Sequence, residues 1–244
     1  MKNVCLVINT YSKYSDLWSM FFNKLDEHLP EIKRYVFVDK DLPDRNSTTF
    51  NYNTEDKFRT QFLGCIKEVK EKYCIFISED YILFDKPRLD LIKEYIQVLE
   101  KNQNLTFIRF AKGIDFGEPK YKNYQNLYEL SSAFPYFYSQ TACLWKTRDL
   151  EKIFETTPDS HIAGTDMSQQ FEILASQTCR DLDIRGLFCH HGEPKRGEHH
   201  HDSKVFPYIA TALVKGKWNL SEYEKELKPL LEEYKIDVQK RGVV

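Results

Sequence analysis

Two rhythms of apolar residues alternate along the first half of this chain. Short, strongly apolar runs occupy residues 4–8, 35–38, 73–77, 106–110 and 184–189, each of a length that suits a strand buried on both faces. Between the early runs, apolar side chains recur at helical spacing. Trp18, Phe21, Phe22, Leu25 and Leu29 form one stripe, and Phe58, Phe62, Ile66 and Val69 form another within 55–72. A third stripe, Leu89, Ile92, Tyr95, Ile96 and Leu99, follows Pro87, which suits a first helical turn. Strand and helix in turn predict a mostly parallel sheet wrapped by helices. Residues 39–54, rich in Asp, Asn, Pro, Ser and Thr, read as a loop long enough to suggest binding.

Past Ala111 the rhythm loosens. Residues 113–126 read as a polar loop, and 127–130 and 136–145 as strands of an antiparallel portion. Thr147 is placed to cap a short helix to about Glu155, and Gly164-Thr165-Asp166 to open another that carries Phe171, Ile173 and Leu174. Ser221 and Glu224 have the spacing of a capping box ahead of Leu227, Leu230, Leu231 and Tyr234, which predicts a final helix. Without an internal repeat or low-complexity linker, a single domain over 1–244 is the economical expectation.

Composition narrows the function classes. With 35 basic and 37 acidic residues the net charge is -2, so no global basic field points to a nucleic-acid partner. No apolar run reaches membrane-spanning length, and the one at residues 4–8 is too short for the core of a signal peptide. Six cysteines, scattered without a CxxC pair, read as reduced thiols of a cytoplasmic protein.

Chemistry concentrates in three places. The apolar run 73–77 leads into Ser78-Glu79-Asp80-Tyr81 and then into Ile82-Leu83-Phe84. Two carboxylates at the end of a buried strand must be solvated, hydrogen-bonded or facing a cation, and strand ends are where open α/β sheets place ligands. A strand end whose acids cap the next turn is the plainer alternative. Second, five of the seven histidines fall within residues 190–201, around Lys195 and Arg196, with Gly192 and Gly197 to either side. Imidazole with a carboxylate suits Mn²⁺-like ions, and the two cations suit a diphosphate. A solvated turn or a zinc site built from this segment alone are the other readings. Third, Asp166 stands in a first helical turn, where the helix dipole accounts for an acid; a general base is the functional alternative.

Taken together these segments resemble a GT-A fold glycosyltransferase. The residues that carry the resemblance are Val7-Ile8-Asn9-Thr10-Tyr11, Asp39, the variant DxD motif Ser78-Glu79-Asp80, Gly164-Thr165-Asp166, and His190 or His191 after the last strand. The resemblance implies a Rossmann-like, mostly parallel sheet with an antiparallel part and a C-terminal helical tail. Residues 1–110 would form a nucleotide-binding half, 111–200 an acceptor and metal half, and 201–244 a helical extension. It also implies a nucleotide-sugar donor held by Thr10, Tyr11, Asp39, Glu79, Lys195 and Arg196, and Mn²⁺ or Mg²⁺ held by Asp80 with His190 or His191. Asp166 would be the catalytic base, and the acceptor a hydroxyl of a glycan or glycoconjugate. The motif departs from the family pattern in having Ser78 where the first Asp would stand. A sugar nucleotidyltransferase and a non-catalytic nucleotide- or glycan-binding module remain the alternatives. The former usually carries a glycine-rich basic loop after its first strand, and Asn9-Thr10-Tyr11-Ser12-Lys13 has no glycine.

Overall fold

The computed structural model describes residues 3–42, 44, 46–113, 119–159 and 167–244. In chain order its principal elements are β1 (Val4–Asn9), α1 (Ser15–His28), β2 (Lys33–Val38), β3 (Thr48–Asn51), α2 (Phe58–Ile66), β4 (Tyr73–Ser78) and β5 (Ile82–Leu83). They continue as α3 (Leu89–Lys101), β6 (Leu105–Arg109), β7 (Leu127–Leu130), β8 (Cys143–Lys146), α4 (Thr147–Thr156), α5 (Met167–Asp181) and β9 (Arg185–Cys189). Two-residue strands β10 (Tyr208–Ile209), β11 (Leu213–Val214) and β12 (Lys217–Trp218) precede α6 (Leu220–Glu233).

Eight strands form one sheet in the order β3-β2-β1-β4-β8-β6-β9-β7. The pairs among β1, β2, β3 and β4, and the β6–β9 pair, are parallel; β8 and β7 run against their neighbours. Alternation along each strand divides the core in two. Leu6, Ile8, Ile75 and Ile77 join the apolar faces of α1 and α3, while Cys5, Val7, Cys74 and Phe76 join α2, α4 and α5. The apolar stripes read from the sequence are the faces that pack: Leu17, Phe21 and Leu25 of α1 are fully buried, as are Ile92 and Leu99 of α3.

Three expectations are corrected. Of the stretch 136–145 only the part from Cys143 onward becomes a strand. Phe137 and Tyr138 turn inward, and the Tyr138 N–H bonds the Ser176 hydroxyl of α5 at 3.0 Å. The stretch 39–54 contains β3, which pairs with β2 from Tyr35↔Thr48 to Val38↔Asn51. The capping box does not form: α6 starts at Leu220, and the Ser221 hydroxyl donates 3.0 Å back to Asn219 Oδ1.

The register puts the carboxyl ends of β1, β2, β4, β6 and β9 along one edge of the sheet. Val7 pairs with Phe76, Phe76 with Cys143, Cys143 with Arg109, and Arg109 with Phe188. Just beyond that row lie Thr10, Asp39, Glu79, Asp80 and His190.

Candidate active site

Thr10 is 1% exposed and held by three elements. Its N–H donates to Phe37 O at 2.9 Å, its hydroxyl accepts from Trp18 Nε1 at 2.7 Å, and its carbonyl accepts from the Tyr52 hydroxyl at 2.7 Å. Asp39, one residue past β2, takes both the N–H and the hydroxyl of Ser12, at 2.7 and 2.6 Å. Its carboxylate therefore shapes the loop that carries Tyr11. Burial raises the pKa of Tyr52, and the fields of Asp39, Glu79 and Tyr11 add to the shift. Thr10, Tyr11, Asp39 and Glu79 are thus brought together at one place. Tyr52, which joins them, lies in the stretch that reads as a loop; with Phe50 two residues before it, the alternation of aromatic and polar residues is its signal.

The acid pair follows β4. Glu79 is 7% exposed, and its carboxylate accepts from the Tyr11 N–H and the Thr10 hydroxyl. Asp80 accepts from its own N–H and that of Leu213, and its carbonyl receives the Ala212 N–H at 3.3 Å. Burial, with the neighbouring Asp80 charge adding to it, pushes Glu79 up to about 8; burial pushes Asp80 up to about 7. Among the described residues neither carboxylate has an ion pair with Lys, Arg or His.

Across β8, Arg109 ends β6 and is 2% exposed. Its Nη2 donates to Tyr136 O and Phe137 O at 2.7 and 2.9 Å, while its buried Nε has no hydrogen bond among the described residues. Burial lowers its pKa against the nearby charges of Cys143 and Glu172. Glu172, on α5, accepts the Gln140 N–H at 2.6 Å. Neither Arg109 nor Glu172 was singled out from the sequence. Of the aromatics at 136–145, Phe137, Tyr138 and Trp145 are fully buried.

The histidine segment is arranged differently from its expectation. His190 Nδ1 lies 3.0 Å from Glu193 Oε2, and His191 Nε2 lies 3.1 Å from the Tyr95 hydroxyl. Both follow β9, three strand spacings from β4, or about 14 Å of sheet at ~4.8 Å per step. Lys195 Nζ donates to Glu198 O, at 2.8 Å, and to His200 O, at 2.7 Å. Arg196 reaches Glu226 of α6 with both terminal nitrogens, at 3.3 and 2.8 Å, and donates from Nε to His200 Nε2 at 2.6 Å. The expectation that these two cations meet a diphosphate gives way to internal bonding. Gly197 admits the chain close to α6, since a Cβ there would lie 2.2 Å from Glu222 Oε1. His200 is completely buried against Tyr223, 4.9 Å between centroids; its Nε2, which accepts from Arg196, lies 3.0 Å from Asp202 Oδ1, and burial lowers its pKa. His201 shares a field with Arg109; burial, with Lys195 and Arg109 adding to it, drives its pKa down to about 3.

Among the described residues no group of three or more His, Cys, Asp and Glu side chains converges as a metal cage. Asp166, Gly164 and Thr165 lie outside the described residues. A cavity of about 510 Å³, lined by Ser131, Ser132, Arg180 and Arg185, opens at the other end of the sheet, at the start of β9. No described helix is long and apolar enough to cross a membrane, and all six cysteines are buried and unpaired.

No protein-family model matches the chain, and no curated protein matches it. The fold does match solved structures. Residues 1–349 of TarS from S. aureus superpose with a TM-score of 0.51 at 13% identity, over 96% of this chain and 65% of that one. The same protein in complex with UDP-GlcNAc gives 0.47 at 13% identity, over 88% and 62%. The mannosyltransferase PcManGT from Pyrobaculum calidifontis, in complex with GDP-Man and Mn²⁺, gives 0.46 at 13%, over 81% and 59%. This chain therefore spans less than two thirds of each. At these identities the likeness establishes the fold, which is the GT-A-like, Rossmann-related α/β sheet with an antiparallel part expected from the sequence.

Proposed function

We propose that this chain is a metal-dependent glycosyltransferase that moves a sugar from a nucleotide-sugar to a hydroxyl of a glycan or glycoconjugate. One observation carries the reading: Glu79, buried, and Asp80, half-buried, neither in an ion pair among the described residues, stand at the carboxyl edge of a GT-A-like sheet, beside the Thr10–Tyr11 loop. Two of the solved structures with this fold hold UDP-GlcNAc, or GDP-Man with Mn²⁺.

The donor set fits a hard divalent cation. Asp80 offers carboxylate oxygen, and a raised pKa marks a group whose charged form gains from an added cation. Bound there, Mn²⁺ or Mg²⁺ supplies a Lewis acid that neutralises the departing nucleoside diphosphate.

The chain's own residues do the rest. Thr10, Tyr11, Asp39 and Tyr52 shape the nucleoside end, with Glu79 bracing their loop through the Tyr11 N–H and the Thr10 hydroxyl. Arg109 sets a fixed positive charge on the same edge, where the leaving group's negative charge grows. Asp166 is assigned the acceptor proton in an inverting reaction. The nucleotidyltransferase alternative would need the β1–α1 loop to wrap a triphosphate. That loop has no glycine and is bound on both its Thr10 and Ser12 positions.

A thermal-shift screen against UDP-, GDP-, CMP- and dTDP-sugars, each with Mn²⁺, Mg²⁺ or EDTA, tests the reading. A rise for one donor that vanishes with EDTA and in Asp80→Ala is expected. Equal shifts with and without metal, or in Asp80→Ala, would sink the metal-dependent donor site.

A further inference from the structure

We infer that Arg241 is a positioning residue of the donor site: it fixes the β1–α1 loop by a second anchor, 225 residues away in sequence from the element it holds. Its Nε donates to Asp16 Oδ2 at 2.6 Å and its Nη2 to the other oxygen of the same carboxylate. Nη2 also donates to Lys13 O at 3.2 Å, and Nη1 to Gly216 O at 3.4 Å. The guanidinium lies 5.1 Å from the centroid of the Tyr14 ring. Lys13, Tyr14 and Asp16 are the residues by which the loop enters α1. Asp39 holds the loop at Ser12, and Arg241 holds it from Lys13 to Asp16, so Tyr11 hangs on a segment fixed on its carboxyl side twice over.

The anchor is itself anchored. Trp218 N–H donates to Gly242 O and Val244 N–H to Trp218 O, both at 3.0 Å, which ties the Arg241 segment to β12. β12 pairs with β11, whose Leu213 gives its N–H to the Asp80 carboxylate. One stretch of chain thus braces both the acid pair and the loop beside it. The Arg241 pKa is raised first by its bond to Asp16, and the field of Glu79 contributes, which places the cation at the edge of the same cluster. A bidentate fork that also reaches a carbonyl and a ring face is chemistry that arginine supplies and lysine does not.

This inference rests on the reading that the Tyr11 loop meets the nucleotide, and its test separates the two. The full chain, Arg241→Ala, Arg241→Lys, Asp16→Asn and the double variant Asp16→Asn/Arg241→Ala are titrated calorimetrically with UDP and with GDP in MnCl₂. Amide hydrogen exchange is followed in the same proteins without nucleotide. Arg241→Ala is expected to weaken nucleotide binding about tenfold, with Arg241→Lys intermediate and the double variant no worse than the worse single one. In turnover the donor KM rises and kcat stays within about twofold. Exchange at residues 11–16 quickens while β1 and β4 stay protected, which also shows that the variant is folded. Binding and loop exchange both equal to the unsubstituted chain would overturn the inference. If the unsubstituted chain binds neither nucleotide, the donor reading fails, and exchange decides the positioning role by itself: quicker loop exchange supports it and unchanged exchange overturns it.

Discussion

The acid pair after β4 and the histidine-rich segment after β9 both read from the sequence as places of chemistry, and they resolve in opposite ways. Glu79 is buried and Asp80 beside it half-buried, burial raises the pKa of both and the Asp80 charge adds to the shift of Glu79, and among the described residues neither has an ion pair with a protein cation. In the tail, Arg196 pairs with Glu226 and gives its Nε–H to His200, His190 Nδ1 lies beside Glu193, and Lys195 donates to two carbonyls. A cluster that satisfies its own charges and donors fixes shape, whereas a carboxylate pair without a protein cation is prepared for an outside one. Density of reactive residue types in a sequence therefore says little until the pairing is known.

The comparison breaks most visibly at Asp80. Asp80→Ala should reduce transfer by about 10³-fold or more, since the charge that holds the leaving group's counter-ion is gone. Its thermal midpoint at pH 8 should not fall, because a half-buried carboxylate whose pKa the fold raises, and which has no ion pair among the described residues, has been removed. Turnover assays with Mn²⁺ beside melting curves check both halves. The tail should answer in reverse. Arg196→Ala strips the partner from Glu226 and from the buried His200, so stability should drop by about 1–3 kcal/mol in denaturant titrations. Nucleotide affinity, measured by calorimetry, should stay within about twofold. A tenfold loss of affinity with unchanged stability would restore Arg196 to the donor site.

Much of this division was legible in the sequence. The strands were, because residues 4–8 and 73–77 are apolar without break and could only be buried on both faces. The acids were, because carboxylates at the end of such a run contradict their surroundings. Thr10 and Asp39 were located by the same strand ends. What was not legible depends on contacts between distant segments. β5 and β10 are two residues each and exist only because Ile82 and Leu83 pair with Ile209 and Tyr208. Tyr52 needed the unforeseen β3 to bring it under Thr10, and Arg241 meets Asp16 from the far end of the numbering. The tail's cations misled because Gly192-x-x-Lys195-Arg196-Gly197 has the composition of a ligand loop. The residues that claim it, Glu222, Tyr223 and Glu226, lie in a helix read only for its leucines.

The smallest effect is also the sharpest probe of the contrast, because it reads the acid pair without any ligand. A carboxyl whose folded pKa lies above its unfolded value binds its proton more tightly when folded. Stability is then full below the unfolded pKa and declines as pH rises toward the folded one. For Glu79 that window runs from 4.5 to about 8, and for Asp80 from 3.8 to about 7. Glu79→Gln removes one of the two titrations while keeping an oxygen for the Tyr11 N–H and the Thr10 hydroxyl. Melting temperatures of the two proteins should nearly coincide at pH 4.5 and separate by a few degrees at pH 8, with the variant the more stable. Added Mn²⁺ should shrink that gap at pH 8, because a cation favours the ionised pair that burial opposes. His200, bonded by Arg196 and stacked on Tyr223 in the tail, is untouched by the substitution and serves as the internal control. A gap that is constant across pH would mean that Glu79 ionises freely, and the distinction drawn between the acid pair and the self-bonded tail would lose its basis.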